Sequence, residues 1–215
     1  MKTLIILAHP SKYGFARRVA QEYAKGAKEK GLEVEFLDLY QEENRQDFLN
    51  FEDIKKMPLD STVARMQEKI TLADELVFSF PLWWFAEPAI LKNFWDKNMA
   101  ARFAYHYVDG KPVGLLHGKT ARVFITSDGP KLLHWLLLNP VKTVWWLARL
   151  RFCGIQLKSF VLFDNMRKRS EENKLEQLKK VLTAELKANL TVAEDGTVLI
   201  AVSYTHLTLP TNREV

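Results

Sequence analysis

The chain has 215 residues, 47% hydrophobic content and a net charge of +5 at pH 7. That length fits one domain with a sizeable core, and the apolar fraction excludes a wholly disordered protein. Lysines and arginines are scattered among carboxylates without forming a stripe, so the basic balance suits a small anionic ligand and excludes nucleic acid as the expected partner. The lone Cys153 cannot close an intrachain disulfide, and residues 1–7 read as a strand with no secretory layout, so a cytoplasmic location is expected.

Residues 2–9 contain the continuous apolar run Leu4, Ile5, Ile6, Leu7, the pattern of a strand buried on both faces of a parallel sheet. Phe15, Val19, Tyr23 and Ala27 carry helical spacing over residues 15–30, with Gly31 placed to cap the end. A second strand is read at 33–39, then a polar loop-rich segment at 40–58 and a helix at 61–73 with an N-cap. The third strand, 75–80, runs into Pro81-Leu82-Trp83-Trp84-Phe85-Ala86-Glu87-Pro88, and a helix follows to Asn98.

Residues 103–112 are aromatic-rich and are expected to form a short excursion over the site. A fourth strand at 120–126 ends in Ser127-Asp128-Gly129, a turn signal. The apolar stretch 131–150 includes Lys131, His134, Pro140, Lys142 and Arg149, which excludes a membrane span and predicts a buried or interfacial helix pair. A fifth strand at 155–163 and an amphipathic helix at 170–188, opened by Ser170, complete the pattern.

Strands separated by helices at this cadence predict an α/β fold, a doubly wound five-stranded parallel sheet in the flavodoxin-like order 2-1-3-4-5. The domain is assigned to residues 1–188. Residues 189–215 are read as a tail whose last part is non-native or disordered, because Ser203 to Thr211 continues no amphipathic pattern and resembles translated adapter sequence.

In such a sheet, ligands sit beyond the carboxyl ends of the strands. Three loops reach that edge. His9-Pro10-Ser11-Lys12-Tyr13-Gly14-Phe15 leads into the first helix, whose free N–H groups and positive dipole end make a phosphate site. The loop carries neither G-x-G-x-x-G nor G-x-x-x-x-G-K-[ST], which argues against a dinucleotide-binding Rossmann fingerprint and a P-loop. The aromatic loop can wall a flat ligand; core packing or a subunit contact are the competing readings. Thr126-Ser127-Asp128-Gly129 supplies a small polar turn. A planar phosphorylated ligand would use all three loops. The histidines have no paired metal-ligand spacing and one cysteine cannot build a zinc cluster, so no metal is expected.

These residues resemble the flavodoxin-like NAD(P)H:quinone oxidoreductases, including modulator of drug activity proteins. The likeness spans residues 1–186 and is carried by Leu7-Ala8-His9-Pro10 with Phe15, Phe80-Pro81-Leu82-Trp83-Trp84-Phe85 through Lys92, Phe103-Ala104-Tyr105 and Phe152-Cys153-Gly154. It implies an NAD(P)H dehydrogenase (quinone) type enzyme that passes hydride from NAD(P)H through bound flavin to a quinone or similar acceptor. FMN is preferred to FAD for this compact chain. By matching position the resemblance assigns the flavin phosphate to His9, Tyr13, Gly14 and Phe15. The flavin ring falls to Pro81, Leu82, Trp83, Trp84 and Phe85, and further contacts to Thr126, Ser127 and Gly129.

Two departures accompany it. Asp128 stands where the family has glycine, and the tyrosine and histidine that often follow that turn are replaced by a segment in which His134 is the candidate catalytic substitute. These departures leave open a flavin-binding accessory subunit of the potassium-efflux ancillary type, with little turnover. A one-electron flavodoxin carrier fits a basic chain less well. The apolar excess at 132–150, with Trp135, Trp145 and Trp146, predicts a homodimer.

Overall fold

The structure, a computed structural model, describes residues 1–50, 60–137 and 139–187, and the backbone of two short strands beyond them. Five parallel strands form the sheet: β1 (Lys2–Leu7), β2 (Glu33–Asp38), β3 (Glu75–Pro81), β6 (Thr120–Thr126) and β7 (Gln156–Phe163), in the order β2-β1-β3-β6-β7. Counting these strands alone, the order is the expected 2-1-3-4-5. Every residue of β3 is buried, Glu75 and Ser79 included, as its central place in the sheet requires.

Helices cover both faces. On one lie α1 (Phe15–Glu29) and α6 (Glu171–Lys187), which pack Val19, Tyr23, Leu178 and Leu182 against Ile5, Leu7, Val77 and Phe124. On the other, α2 (Ser61–Leu72), α3 (Ala89–Asn98) and the helical region after β6 pack Met66, Ile70, Leu91, Phe94 and Trp145 against Leu4, Leu76, Phe78 and Val123. Burying an apolar side chain of this size stabilises the fold by about 1.5–3 kcal/mol.

Local signals explain the boundaries. Helix α1 ends in a Schellman motif: Leu32 N–H bonds Ala27 O at 3.1 Å and Gly31 N–H bonds Lys28 O at 2.9 Å, with Gly31 at φ +75°. Helix α2 is capped by Asp60, whose carboxylate accepts from Thr62 N–H at 2.8 Å. The apolar stretch after β6 is a broken helix pair, as expected, and not one continuous helix. Short α4 (Lys131–Leu136) and α5 (Pro140–Thr143) are separated by Asn139 at φ +48°, and α5 continues into a π-helical segment, Val144–Arg151.

The aromatic-rich segment differs from expectation. It forms the antiparallel hairpin β4 (Tyr105–Val108) and β5 (Lys111–Gly114), turning at Asp109 and Gly110. This hairpin packs on the residues that precede β7: Tyr105 meets Phe152 at 4.8 Å between ring centroids and Leu116 N–H bonds Cys153 O at 2.9 Å. A Cβ on Gly114 would lie 2.3 Å from the Gly154 nitrogen, so glycine is required for this approach. Within this chain the excursion therefore lies at the amino end of β7 and not over the carboxyl edge. In the tail, β8 (Thr191–Val192) pairs with β9 (Val198–Leu199); the reading of its last part, Ser203 to Thr211, as non-native or disordered falls outside the described residues.

Candidate functional site

Strands β1, β3 and β6 are neighbours with Leu7 paired to Ser79 and Pro81 to Thr126, so the three expected loops leave one edge side by side. The first two are joined by Ala8 N–H to Ser79 O at 3.0 Å, and Ser79 Oγ donates to Ala16 O at 2.7 Å, fixing the start of α1 against β3.

In the first loop, His9 Nδ1 accepts from Ser11 N–H at 3.0 Å, and Tyr13 N–H donates to Ser11 Oγ at 3.1 Å. Arg17, which the sequence reading did not single out, is the loop's brace. Its guanidinium donates to Ser11 O at 3.2 Å and His9 O at 3.3 Å and pairs with the buried Asp38 at 2.7 Å. No periodic signal marks it, since it lies in the second half of the first helical turn. Gly14 is the N-cap of α1 and offers no side-chain cap, and no acidic residue occupies the first turn, so the opening N–H groups and the positive dipole end keep their capacity for an anion. Tyr13 is 96% exposed, whereas Phe15 packs edge-on against Phe163 at 5.6 Å, so its ring serves the core and only its backbone faces the loop's task.

The aromatic loop is a tight hairpin. Trp83 and Ala86 exchange both backbone bonds at 2.9 Å, and the two residues between them, Trp84 and Phe85, sit at φ +51° and +58°. Positive φ at both central positions is the type I′ pattern that Asn-Gly normally fills, and two aromatic residues there store about 1–2 kcal/mol each. Strain of this kind persists where the surroundings over-determine it, and it clusters at binding sites. Trp84 is fully exposed, Trp83 and Phe85 are 45% and 38% exposed, Leu82 is half-buried and Pro81 is buried at the end of β3.

The third loop meets the second. Leu82 N–H bonds Thr126 O at 2.7 Å, and Phe85 lies against His134 at 5.2 Å between ring centroids. Thr126 and Ser127 are buried; Ser127 Oγ accepts from Gly129 N–H at 3.1 Å and stands 3.2 Å from His134 Nε2. His134 is 4% exposed, and burial lowers its pKa below the ordinary histidine value, against an opposing pull from Asp164. It is thus a neutral imidazole holding the hairpin against the turn, while Asp128 is exposed. A groove of about 740 Å³ lies between α1 and α6 and touches none of these loops; a second, of about 430 Å³, includes Leu82 and His134. Among the described residues no cluster of three potential metal ligands occurs.

The depressed histidine has a pH consequence. Below about pH 6.5 the unfolded chain binds a proton that folded His134 resists, so its stabilising contribution is complete above that value and is lost as pH falls through the lower folded value. His9, also lowered mainly by burial, acts in the same direction. The unfolding free energy in urea is expected to fall between about pH 7 and pH 5, and His134→Gln is expected to flatten part of that slope. An identical slope in the variant would remove His134 from the account.

An uncapped helix N-terminus beside an exposed, strained aromatic hairpin on one sheet edge defines a flavodoxin-type site. Residues 1–186 match the family described as Flavodoxin-like fold, and the chain belongs to that family. It is 31% identical over 208 residues to an uncharacterized NAD(P)H oxidoreductase of Haemophilus influenzae, covering 87% of this chain and 98% of that one. To rat NAD(P)H dehydrogenase [quinone] 1 it is 29% identical over 181 residues, covering 73% of this chain and 66% of the rat protein. The NAD(P)H:quinone oxidoreductase of Methanothermobacter marburgensis superposes with a TM-score of 0.74 at 25% identity, over 86% of this chain and 96% of that structure. The chain is accordingly an oxidoreductase enzyme.

Proposed function

We propose that the enzyme is a flavin-dependent NAD(P)H:quinone oxidoreductase that holds FMN across the three loops, in preference to FAD, and works in the cytoplasm. The observation that carries this reading is the juxtaposition of the uncapped start of α1 with the exposed aromatic hairpin, because a planar ligand bearing one phosphate needs both. The residues present fit such a group: no side chain caps the start of α1, and the Trp84 ring in the hairpin beside it is fully exposed.

When bound, flavin supplies the two-electron chemistry between NAD(P)H and a quinone or similar acceptor. The chain's part is to bind, orient and exclude water. His9, Tyr13, Gly14 and Phe15 would present the loop and backbone N–H groups to the phosphate. Pro81, Leu82, Trp83, Trp84 and Phe85 would border the ring, and the backbone N–H groups of Trp84 and Phe85 would meet charge that builds there, since those of Leu82 and Trp83 already bond Thr126 O and Ala86 O. Thr126, Ser127 and Gly129 would close the remaining side. His134 is proposed to act by fixing Phe85 and Ser127, since it is buried and already engaged.

The exposed Asp128 carboxylate, which disfavours negative charge on a reduced ring, supports a second reading as a flavin-binding accessory subunit with little turnover. One cuvette separates them. The purified protein is expected to show a flavin spectrum that anaerobic NADPH bleaches and a quinone restores. A bound flavin that NADPH leaves unchanged would establish the accessory reading, and no flavin uptake after reconstitution would overturn both.

A homodimer is proposed on the broken helix pair. Leu132, Trp135, Leu136 and Leu137 of the α4 region and Val144, Trp146 and Leu147 of the π-helical segment are all exposed, with Trp135 at 65%. An apolar patch of that extent on a protein surface marks an interface, and a second copy is the self-complementary partner. Light scattering at micromolar protein is expected to give twice the chain mass of 24.9 kDa, and a monomer would contradict the proposal. Among the described residues, no helix is long and apolar enough to cross a membrane.

A further inference from the structure

Glu87 separates the strained hairpin from Pro88, the N-cap of α3, and its side chain is only 6% exposed. Its carboxylate is paired with the guanidinium of Arg149, itself buried in the π-helical segment. That guanidinium lies 4.8 Å from the Trp145 ring centroid and 5.7 Å from that of Trp95. Trp145 in turn packs on Phe78 at 4.9 Å and on Phe80 at 5.1 Å, the β3 residues that lead into the aromatic loop. A single buried cation thus touches the exit of the loop, the helix after it and the ring that backs the strand before it.

This arrangement is a poor choice for stability alone. Arg149 Nη1 is buried with no hydrogen-bond acceptor among the described residues, and a buried ion pair replaced by well-packed apolar residues is often neutral or more stable. What the pair supplies is a fixed point. Before the turn, the chain is held by Leu82 N–H on Thr126 O; after it, Glu87 is held by Arg149. A hairpin with positive φ at two aromatic residues needs both ends fixed, because relaxing either releases the strain. The π-helical geometry is itself a feature that recurs at functional sites.

We propose that Arg149 is a positioning residue, which acts through Glu87 to hold the Trp83–Ala86 hairpin in the shape that the ligand slot needs. The part concerning the ligand rests on the flavin-dependent reading above; the part concerning the hairpin does not. The same pairing neutralises a carboxylate beside the slot, where it would oppose electron transfer into a bound ring.

The test compares full-length wild type, Arg149→Lys, Arg149→Met and the double variant Glu87→Met with Arg149→Met. Arg149→Met alone strands a buried carboxylate, so lowered thermal stability in it is expected from any role. The double variant carries the decision, since an apolar pair is expected to restore the thermal midpoint. If Arg149 positions the hairpin, FMN dissociation constants in the double variant stay raised by about tenfold or more, the scale of a lost coupling between neighbouring groups. The visible circular dichroism of bound FMN also changes, and backbone amides of residues 82–88 exchange faster in the flavin-free protein. Arg149→Lys, which keeps the charge, is expected to lie between wild type and the double variant.

Wild-type FMN affinity together with unchanged amide exchange in the double variant would overturn the proposal. A wild type that takes up no flavin would sink the flavin-dependent reading instead, and the exchange rates of the flavin-free proteins would then decide the clamp by themselves.

Discussion

Arg122→Met is expected to lower the unfolding free energy by about 3–5 kcal/mol, the range for breaking a buried ion pair from one side. Arg122 is 2% exposed on β6, and its Nε donates at 3.0 Å to Glu75, which is fully buried at the start of β3. Glu75 also accepts from the Tyr23 hydroxyl at 2.8 Å and has Lys158 Nζ at 3.7 Å, and Arg122 reaches Glu185 on α6 as well. The variant leaves two carboxylates without their shared cation, one of them with no access to water. Urea unfolding of the full chain at neutral pH measures the effect. Because this network sits at the amino ends of β3 and β6, away from the ligand edge, flavin affinity per folded molecule is expected to stay unchanged. A loss below about 1 kcal/mol would put the pair in the class of exposed salt bridges and show the burial to be inconsequential.

That network illustrates what sequence periodicity leaves hidden. Glu75 opens β3 and Arg122 lies inside β6, and a one-dimensional reading gives neither charge a partner. Only the pairing of β3 with β6 brings them within hydrogen-bond reach. The sheet order itself was legible because its determinants are local: unbroken apolar runs such as Leu4 to Leu7, helical spacing from Phe15 to Ala27, and Gly31 as the left-handed residue that ends α1. The extent of β6 was legible for the same reason, since Thr120 follows a polar turn and Ser127 opens another.

The candidate site divides along the same line. The loops were readable from their place after strands and from their ring and small-residue content, and His9, Trp83, Trp84 and Ser127 all stand at the expected edge. What holds the loops was not readable. Arg17, Glu87 and Arg149 act across separations fixed by tertiary packing, and each belongs to a residue type that sequence reading places on a solvated face by default. Phe15 shows the reverse: its position in the motif suggested a ligand contact, but helix α1 turns its ring toward Phe163. His134 is read from the sequence as the candidate substitute for the tyrosine and histidine that follow this turn in the family. The fold instead buries it between Ser127 and Phe85, where neutrality suits a hydrogen-bond acceptor. Within this chain the β4–β5 hairpin does not cover the site, because its aromatic content is indifferent to which end of the sheet it packs on, and the close backbone contact of Gly114 with Gly154 fixes it beside the start of β7.

Gly14→Ala should weaken FMN binding by about 1–3 kcal/mol, the usual penalty of forcing one methyl group into a filled space. At φ −65° and ψ 141° the Gly14 backbone is open to any residue, so the substitution introduces no torsional strain. Removing a glycine from such a position would otherwise stabilise the chain by about 0.4–1 kcal/mol through the unfolded state. The opposing effect is steric: the new Cβ would lie 2.0 Å from His9 Cε1, and His9 is held in place by Ser11. The ring must swing away, and with it goes the loop conformation that frames the start of α1. The prediction is therefore split by observable. Thermal stability should change little, because a surface ring can move, while the FMN dissociation constant should rise by roughly tenfold or more. Placing the same substitution in a His9→Ala background removes the obstacle, so Gly14→Ala should then add almost nothing to the loss already caused by His9→Ala. That non-additivity is the signature of two groups sharing one space. Equal penalties in the two backgrounds would show that the methyl group acts on the ligand directly, with His9 uninvolved in shaping the cradle.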